Sequence, residues 1–268
     1  MLHYKDKNLT VFKSVLYQTT TAVIESEEAL IMTDPTWLPE EIDMIKGFID
    51  ERLNDRKLYI IYTHSDFDHV IGAGAFPEAF VIATERFQMN KNKEAVIDEM
   101  KAFDQQYYLS RSYEHTYPTV DRLIKIDGDK LKLGSLTLHF FLAPGHTKDG
   151  LFTVIEPAGI LLSGDYLSDV EIPFITSSYK DYCQTIDKAE QLIKDFDVKC
   201  HVPGHGSVTN SKYEINKRLT ATRYYLEQLK DEGSDKELIE YCRKHYAFFD
   251  GMTDSHDANI KKVSQYRY

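Results

Sequence analysis

Apolar and polar residues follow the pattern of β-strands along the first third of the chain. Three segments rich in β-branched and aromatic residues carry this pattern: LTVFKSVLYQ, TAVIES and ALIMTD. The polar ESEE between the last two predicts a turn. The next segment, LPEEIDMIKGFIDERLN, places its apolar residues on one helical stripe and has Pro39 near its start. The apolar run KLYIIYTH then predicts a buried strand, so strands and a helix follow one another as in an α/β protein.

Strand and helix patterns continue to alternate in the rest of the chain. Residues 86–118 are polar and aromatic and predict a helix. Strand patterns dominate residues 122–165, with turns predicted at Asp127-Gly128 and at Gly134. The following patterns predict, in order, a helix at 185–196, a strand at 198–204, and helices to the end with a break at 231–235.

Several of the predicted strand pairs are joined by short turns, which favours mixed sheets over a purely parallel sheet. The sequence contains no repeat, low-complexity tract or linker rich in Pro, Gly and Ser. We therefore expect one domain over residues 1–268, with a core at about 10–210 and a helical C-terminal extension at about 211–268.

Composition narrows the classes of function. The chain is 42% hydrophobic and carries a net charge of −11, so an acidic surface makes nucleic-acid binding unexpected. The N-terminus lacks the apolar region of a signal peptide, and no apolar run is long enough to span a membrane. The three cysteines form no CxxC pair. We expect a cytoplasmic protein without a disulfide framework or membrane partner.

Four loops combine His or Asp with small residues, each directly after a strand-like run. They are THSDFDH (63–69), APGHTKDG (143–150), SGDYLSD (163–169) and VPGHG (202–206). Imidazole and carboxylate groups are ligands for zinc, iron or manganese. A loop of the HxDxDH type can direct its residues toward two adjacent points, which would suit two cations. Helix caps or solvated turns are the alternative reading of each loop taken alone.

Taken together and in this order, the loops resemble those of the metallo-β-lactamase fold superfamily. That family has an early Asp after a strand, then HxHxDH, a His in a PGH loop, an Asp in a GD loop and a late His in a GH loop. The matching residues are Asp34, His64, Asp66, Asp68, His69, His146, Asp165 and His205. The resemblance covers about residues 10–210.

The resemblance implies an α/β (α+β type) fold, a four-layer αββα sandwich of two mixed β-sheets. It also implies two divalent metal ions at one edge of the sandwich. The first would be held by His64, Asp66 and His146. The second would be held by Asp68, His69 and His205. Asp165 would bridge the two, and Asp34 would orient a ligand loop by hydrogen bonds.

Asp66 departs from the family pattern, which has a second histidine at this position. A carboxylate is a harder ligand and adds negative charge, which shifts preference toward iron or manganese relative to zinc. Asp66 is either a true ligand or has lost contact with the first site, which would then be weak or empty. The flavodiiron oxygen reductases have a Glu at this position. The present chain resembles them only in the metal domain, and 268 residues leave no room for their flavodoxin module.

The ligand set predicts a metal-dependent hydrolase in which a bridging hydroxide attacks an ester, thioester, lactone, amide or phosphoester of a small molecule. Asp68 would orient that hydroxide as well as bind metal. A di-iron redox enzyme is the alternative, and a nuclease or a non-catalytic metal-binding protein is less favoured. A β-lactamase would be exported, which the absence of a signal peptide disfavours.

Candidate substrate contacts come from segments expected to border the site. Arg111 would clamp a carboxylate or phosphate, and His115 lies in the same segment. Tyr166 follows Asp165 directly and would face the pocket, and His256 would reach back from the C-terminal region. Solvated, loop or packing roles are the alternatives for these four residues. The sequence leaves the oligomeric state open, with a homodimer among the options.

Overall fold

The computed structural model describes residues 1–230 and 235–264. It contains two β-sheets. The first comprises β1 (Leu2–Asp6), β2 (Leu9–Lys13), β3 (Thr20–Glu25), β4 (Ala29–Thr33), β5 (Lys57–Ile61), β6 (Phe80–Thr84) and β7 (Arg122–Ile124). The second comprises β8 (Asp129–Leu133), β9 (Leu136–Leu142), β10 (Leu151–Glu156), β11 (Ile160–Leu162) and β12 (Cys200–Val202).

Both sheets are mixed, as the sequence predicted. In the first, strands β1 to β4 pair antiparallel and β4 to β7 pair parallel, in their order along the chain. In the second, the order is β12-β11-β10-β9-β8, and only β11 and β12 pair parallel. The hairpin between β8 and β9 turns at Gly134, which has a φ of 58° that favours glycine.

Eight helices are described, with bounds α1 (Pro39–Leu53), α2 (Phe67–Val70), α3 (Glu85–Gln88), α4 (Lys93–Gln106), α5 (Tyr179–Asp195), α6 (Lys212–Gln228), α7 (Asp235–His245) and α8 (Thr253–Ser264). Short 3-10 turns occur at Ala73–Ala75 and Phe249–Gly251. The predicted stripe of α1 is directed inward, since Ile42, Ile45 and Ile49 are buried.

Three hydrophobic clusters define the four layers. Strand alternation sends Ile24 and Ile31 into the cluster between the two sheets, and Val23 and Met32 into the cluster under α1 and α4. On the far side, Phe152 of β10 packs in a third cluster with α5 and the C-terminal helices α6 to α8. The predicted αββα sandwich is therefore confirmed.

Two segments differ from the sequence prediction. β1 was not foreseen and adds an edge strand before β2. The helix predicted over 86–118 is interrupted, because α4 ends at Gln106 and Tyr108 has a φ of 55°. Residues 107–121 instead form a loop. The break predicted at 231–235 and the end of the C-terminal extension fall mostly outside the described residues.

No helix in the described ranges has the length and hydrophobicity needed to cross a membrane.

Candidate metal centre and adjoining cavity

The predicted ligand loops all leave the carboxyl ends of strands at one edge of the sandwich. The loop with His64 to His69 follows β5, and His146 follows β9. Asp165 and His205 follow the parallel neighbours β11 and β12. Gly204 permits the last two loops to approach, since a Cβ there would lie 2.2 Å from Oδ1 of Asp165.

The first group of converging side chains is His64, Asp66 and His146. Nε2 of His146 lies 3.3 Å from Nε2 of His64 and 3.2 Å from Oδ2 of Asp66. His64 Nε2 lies 3.7 Å from the same carboxylate oxygen. Asp66 thus stands where the family has its second histidine, at a distance from both imidazoles that a shared cation requires.

The second group is Asp68, His69 and His205. Nε2 of His69 lies 3.2 Å from Nε2 of His205. Oδ2 of Asp68 lies 3.3 Å from each of these nitrogens. All three side chains are nearly or fully buried.

Asp165 lies between the two groups. Its Oδ2 is 3.4 Å from Nε2 of His64 and 3.2 Å from Nε2 of His146, both in the first group. Its Oδ1 is 3.1 Å from Nε2 of His69 in the second group. One carboxylate can therefore contact a cation in each group.

The Nδ1 atom of every histidine in the two groups has an acceptor, which leaves Nε2 free for a metal. His64 donates to Oγ1 of Thr63 at 3.0 Å, and Thr63 in turn donates to Asp34. His69 donates directly to Oδ2 of Asp34 at 3.1 Å. The other two histidines use main-chain carbonyls: His146 bonds Phe174 O at 2.8 Å and His205 bonds Tyr17 O at 2.9 Å.

These residues fit two divalent cations. Metal–nitrogen and metal–oxygen distances of about 2.0–2.1 Å place neighbouring tetrahedral ligands about 3.3–3.4 Å apart. The separations of 3.2 to 3.7 Å within the two groups match that spacing. Oδ1 of Asp165 is also buried without a hydrogen-bond donor, as expected for an atom that ligates metal.

The electrostatics of the centre favour positive charge. Burial opposes charge on His69, but the carboxylates of Asp165 and Asp68 raise its pKa well above the ordinary value. The pKa of His205 is raised to about 10 against the effect of burial, by Glu171 and Asp165 among others. The pKa of Asp165 is lowered well below its usual range because the neighbouring imidazoles outweigh its burial. A metal would replace protons on the imidazoles.

A cavity of about 1020 Å³ opens directly over the two groups. Its floor includes Asp66, Asp68 and Asp165, and aromatic residues form much of its wall. Residues from the C-terminal region, among them Phe248 and Met252, close one side. The volume is at the upper end of the range for small-molecule sites, so the cavity has room for a substrate beside the metal ligands.

Two carboxylates of the cavity were not identified from the sequence. Oε1 of Glu171 lies 3.5 Å from Nδ1 of His205, and burial raises the pKa of Glu171 to about 7. Glu99 projects from α4 into the cavity wall. The only sequence signal for Glu171 was its place six residues after Asp165. No motif marked Glu99.

Arg111 and His115 do not line the cavity. Nε and Nη2 of Arg111 bind the two carboxylate oxygens of Asp104 at 2.8 and 2.9 Å, and Nη1 donates to Trp37 O. Nε2 of His115 lies 2.8 Å from Oδ2 of the same Asp104. The predicted clamp on substrate is therefore corrected. Both side chains instead fix the 107–121 loop to the end of α4.

Tyr166 and His256 are also buried away from the cavity. The Tyr166 hydroxyl accepts from the main-chain N–H of His146 at 2.9 Å and donates to Ala143 O at 3.0 Å. Nδ1 of His256 lies 2.9 Å from the hydroxyl of Tyr225. Neither side chain is placed to touch substrate, because Tyr166 positions the His146 loop and His256 packs among the C-terminal helices.

The chain belongs to the metallo-beta-lactamase superfamily, whose family model matches residues 15–219. A curated relative, an uncharacterized protein of Mycobacterium leprae (strain TN), is 36% identical over 87 residues. That match spans 31% of this chain and 39% of the relative, well under two thirds of its length.

Two solved structures share the fold. The sec-alkylsulfatase Pisa1 from Pseudomonas sp. superimposes with a TM-score of 0.67 and 14% identity, over 86% of this chain and 42% of that protein. An archaeal metallo-beta-lactamase superfamily protein, ST1585 from Sulfolobus tokodaii, gives a TM-score of 0.60 and 18% identity. It matches over 93% of this chain and the whole of that protein.

Proposed function

We propose that the protein is a metal-dependent hydrolase with a dinuclear centre. It would cleave an ester, thioester, lactone, amide or phosphoester of a small molecule. The observation that carries the proposal is the position of Asp165, with one oxygen near each of two groups that both combine imidazoles with a carboxylate. One solved structure of the same fold, the sec-alkylsulfatase Pisa1, is a hydrolase, which supports this class of reaction.

Each group of residues has a definite part in this chemistry. His64, Asp66 and His146 would hold one cation, and Asp68, His69 and His205 the other. Bound divalent cations lower the pKa of water toward neutrality and polarise the bond to be cleaved. Asp68 directs Oδ2 toward its two histidines, which leaves its second oxygen to accept a hydrogen bond from the attacking water and orient it.

The buried setting of the centre adds to this effect. Asp34 and the carbonyls of Phe174 and Tyr17 keep the imidazoles in fixed orientations, so little reorganisation accompanies reaction. The aromatic wall of the cavity presents apolar surface beside the metal ligands.

Asp66 governs which metals we expect. Its carboxylate makes the first group harder than a family site with histidine there, which favours iron or manganese relative to zinc. The same feature supports the second candidate function, a di-iron redox enzyme. Iron with visible absorbance, together with consumption of oxygen or NO in the presence of an electron donor, would favour that candidate.

Hydrolysis measured on metal-stripped protein tests the hydrolase proposal. We expect the loss of hydrolysis after chelation and its return when zinc, iron or manganese is restored. The screen uses esters, lactones, thioesters and phosphodiesters. Nucleic acid is the less favoured substrate, because among the described residues no lysine or arginine lines the cavity to hold a phosphate backbone.

A further inference from the structure

The cavity over the metal centre has a continuous aromatic wall. Trp37 is its centre: the ring stacks on Tyr17 with centroids 5.4 Å apart, and meets Phe67 at 5.7 Å and Phe103 at 5.4 Å. Phe103 in turn contacts Tyr107, with centroids 4.9 Å apart. All five residues line the cavity, so a substrate above the metal ligands would lie against aromatic rings.

Apart from the imidazoles of His146 and His205, which would bind metal, the charged groups of this cavity are acidic. Asp66, Asp68 and Asp165 face the metal positions, where cations would neutralise them. Glu99 and Glu171 also line the cavity and belong to neither of the two groups of metal ligands, although Glu171 lies close to Asp165 and His205.

Basic residues near the cavity do not offset this charge. In the described part of the chain, no lysine or arginine lines the cavity. Arg243 approaches the rim only as the ion-pair partner of Asp250, with Nε 2.7 Å from Oδ1. Arg111, close behind Trp37, is fully engaged with Asp104 and carbonyl and hydroxyl groups.

We propose that this cavity selects substrates that carry an alkyl- or arylammonium group and disfavours anionic ones. The inference rests on the proposed hydrolytic function for the reaction itself. Aromatic faces attract organic cations, and the attraction grows where water is excluded. Carboxylates in the same wall add Coulombic attraction for a cation and repulsion for a sulfate, phosphate or carboxylate group. Selection for a neutral apolar substrate would need the aromatic wall but not Glu99 or Glu171.

Binding is testable without turnover, because Trp37 is the single tryptophan of the chain and lies in the cavity wall. Its fluorescence in metal-reconstituted protein would be titrated with choline, with the uncharged isostere 3,3-dimethylbutan-1-ol, and with the anion isethionate. We expect choline to bind about three- to thirtyfold more tightly than the isostere, and isethionate to bind weakest. Equal or tighter binding of the isostere or of isethionate would overturn the proposal.

Variants test whether the carboxylates of the cavity wall cause the preference for choline over its uncharged isostere. Glu99→Gln and Glu171→Gln should each reduce the preference for choline over the isostere by about two- to fivefold, with metal content checked in both. Glu94→Gln is the matched control, since Glu94 is exposed on the same helix α4 and does not line the cavity. An unchanged preference in both cavity variants would contradict the role of these carboxylates.

Hydrolysis separates this inference from the function on which it rests. Benzoylcholine and 3,3-dimethylbutyl benzoate share an acyl group and differ in the charge of the alcohol. A higher kcat/KM for benzoylcholine supports both statements. Hydrolysis of both esters at equal kcat/KM upholds the hydrolase and overturns cation selection. Tight choline binding with no hydrolysis of any ester upholds cation selection and counts against the hydrolase.

Discussion

Oδ2 of Asp34 lies 3.1 Å from Nδ1 of His69, so a carboxylate outside both ligand groups fixes the orientation of an imidazole within one of them. The same Asp34 accepts two hydrogen bonds from Thr63, through its main-chain N–H at 2.8 Å and its hydroxyl at 2.6 Å. It therefore ties the His64–His69 loop to β4. The orienting role that the family resemblance implies for Asp34 would act through these hydrogen bonds.

Replacing Asp34 should weaken metal binding without removing a ligand. We expect Asp34→Asn to lower the affinity for the cation held by His69 about ten- to hundredfold, because the imidazole loses the acceptor that sets its tautomer. Competition with a chromophoric chelator would measure the change. Asp98→Asn, at a 74% exposed side chain, is the control. An affinity within about twofold of the unaltered protein would show that Asp34 does not orient the ligand.

The stoichiometry of metal binding distinguishes Asp165 from Asp66. Asp165 contacts both groups, so Asp165→Asn should weaken both cation sites. Asp66 lies in one group only, and Asp66→Ala should leave the other cation bound. Metal analysis after gel filtration would count the ions per chain. Two tightly bound cations in Asp165→Asn would contradict its placement between the groups.

The identity of residue 66 should tune metal preference. Asp66→His restores the usual family residue and softens the first group, so zinc should gain relative to manganese, by about tenfold in the ratio of affinities. Reconstitution in mixtures of the two metals gives this ratio directly. An unchanged ratio would mean that Asp66 does not contact the cation.

Tyr166 should contribute to stability through its hydroxyl. Tyr166→Phe leaves the N–H of His146 and the carbonyl of Ala143 without their buried partner, which we expect to lower the free energy of unfolding by about 1–3 kcal/mol. Denaturant unfolding measures the change, with Tyr213→Phe at a 79% exposed position as control. Because Tyr166 is away from the cavity, KM in metal-saturated protein should change little. A large rise in KM with unchanged stability would instead support the predicted contact between Tyr166 and the substrate.

His201 should make stability fall in mild acid. It is fully buried on β12, its Nδ1 has no hydrogen-bond partner, and burial followed by the charge of Arg218 lowers its pKa well below 6.5. The unfolded chain therefore binds this proton more readily. Stability should decrease by about 1.4 kcal/mol per pH unit as the pH falls below 6.5 toward the folded pKa.

Stability would be measured against pH in three metal-free proteins: the unaltered protein, His201→Gln and the control His245→Gln. We expect the acid-dependent loss of stability to be smaller in His201→Gln by the slope given above, and unchanged in the control. The same pH dependence in all three proteins would show that His201 is not the group responsible.

Much of the fold could be predicted from local pattern. The apolar stripe with Pro39 at its start predicted α1, and short β-branched runs predicted β2 to β5, because these elements bury faces that the sequence periodicity displays directly. Residues 107–118 were predicted wrongly as helix. Their path depends on Arg111 and His115 meeting Asp104, and such side-chain contacts leave no periodic trace in the sequence.

In the candidate site, too, the sequence identified some residues and missed others. The sequence identified the ligand loops because each loop directly follows a strand and combines His or Asp with small residues. These loops contain His64 to His69, His146, Asp165 and His205. Glu99 could not be found in that manner, since it comes from the middle of a helix and reaches the cavity only through packing of α4 against α2. Substrate contacts depend on such packing more than on motifs.

The proposal of a dinuclear metal-dependent hydrolase is tested most directly by measuring hydrolysis as metal is titrated into chelator-stripped protein, with bound metal counted in parallel. We predict no activity on any ester, lactone, thioester or phosphodiester before metal is added, and activity that reaches its maximum near two cations per chain. Full hydrolytic activity in the stripped protein would contradict this proposal.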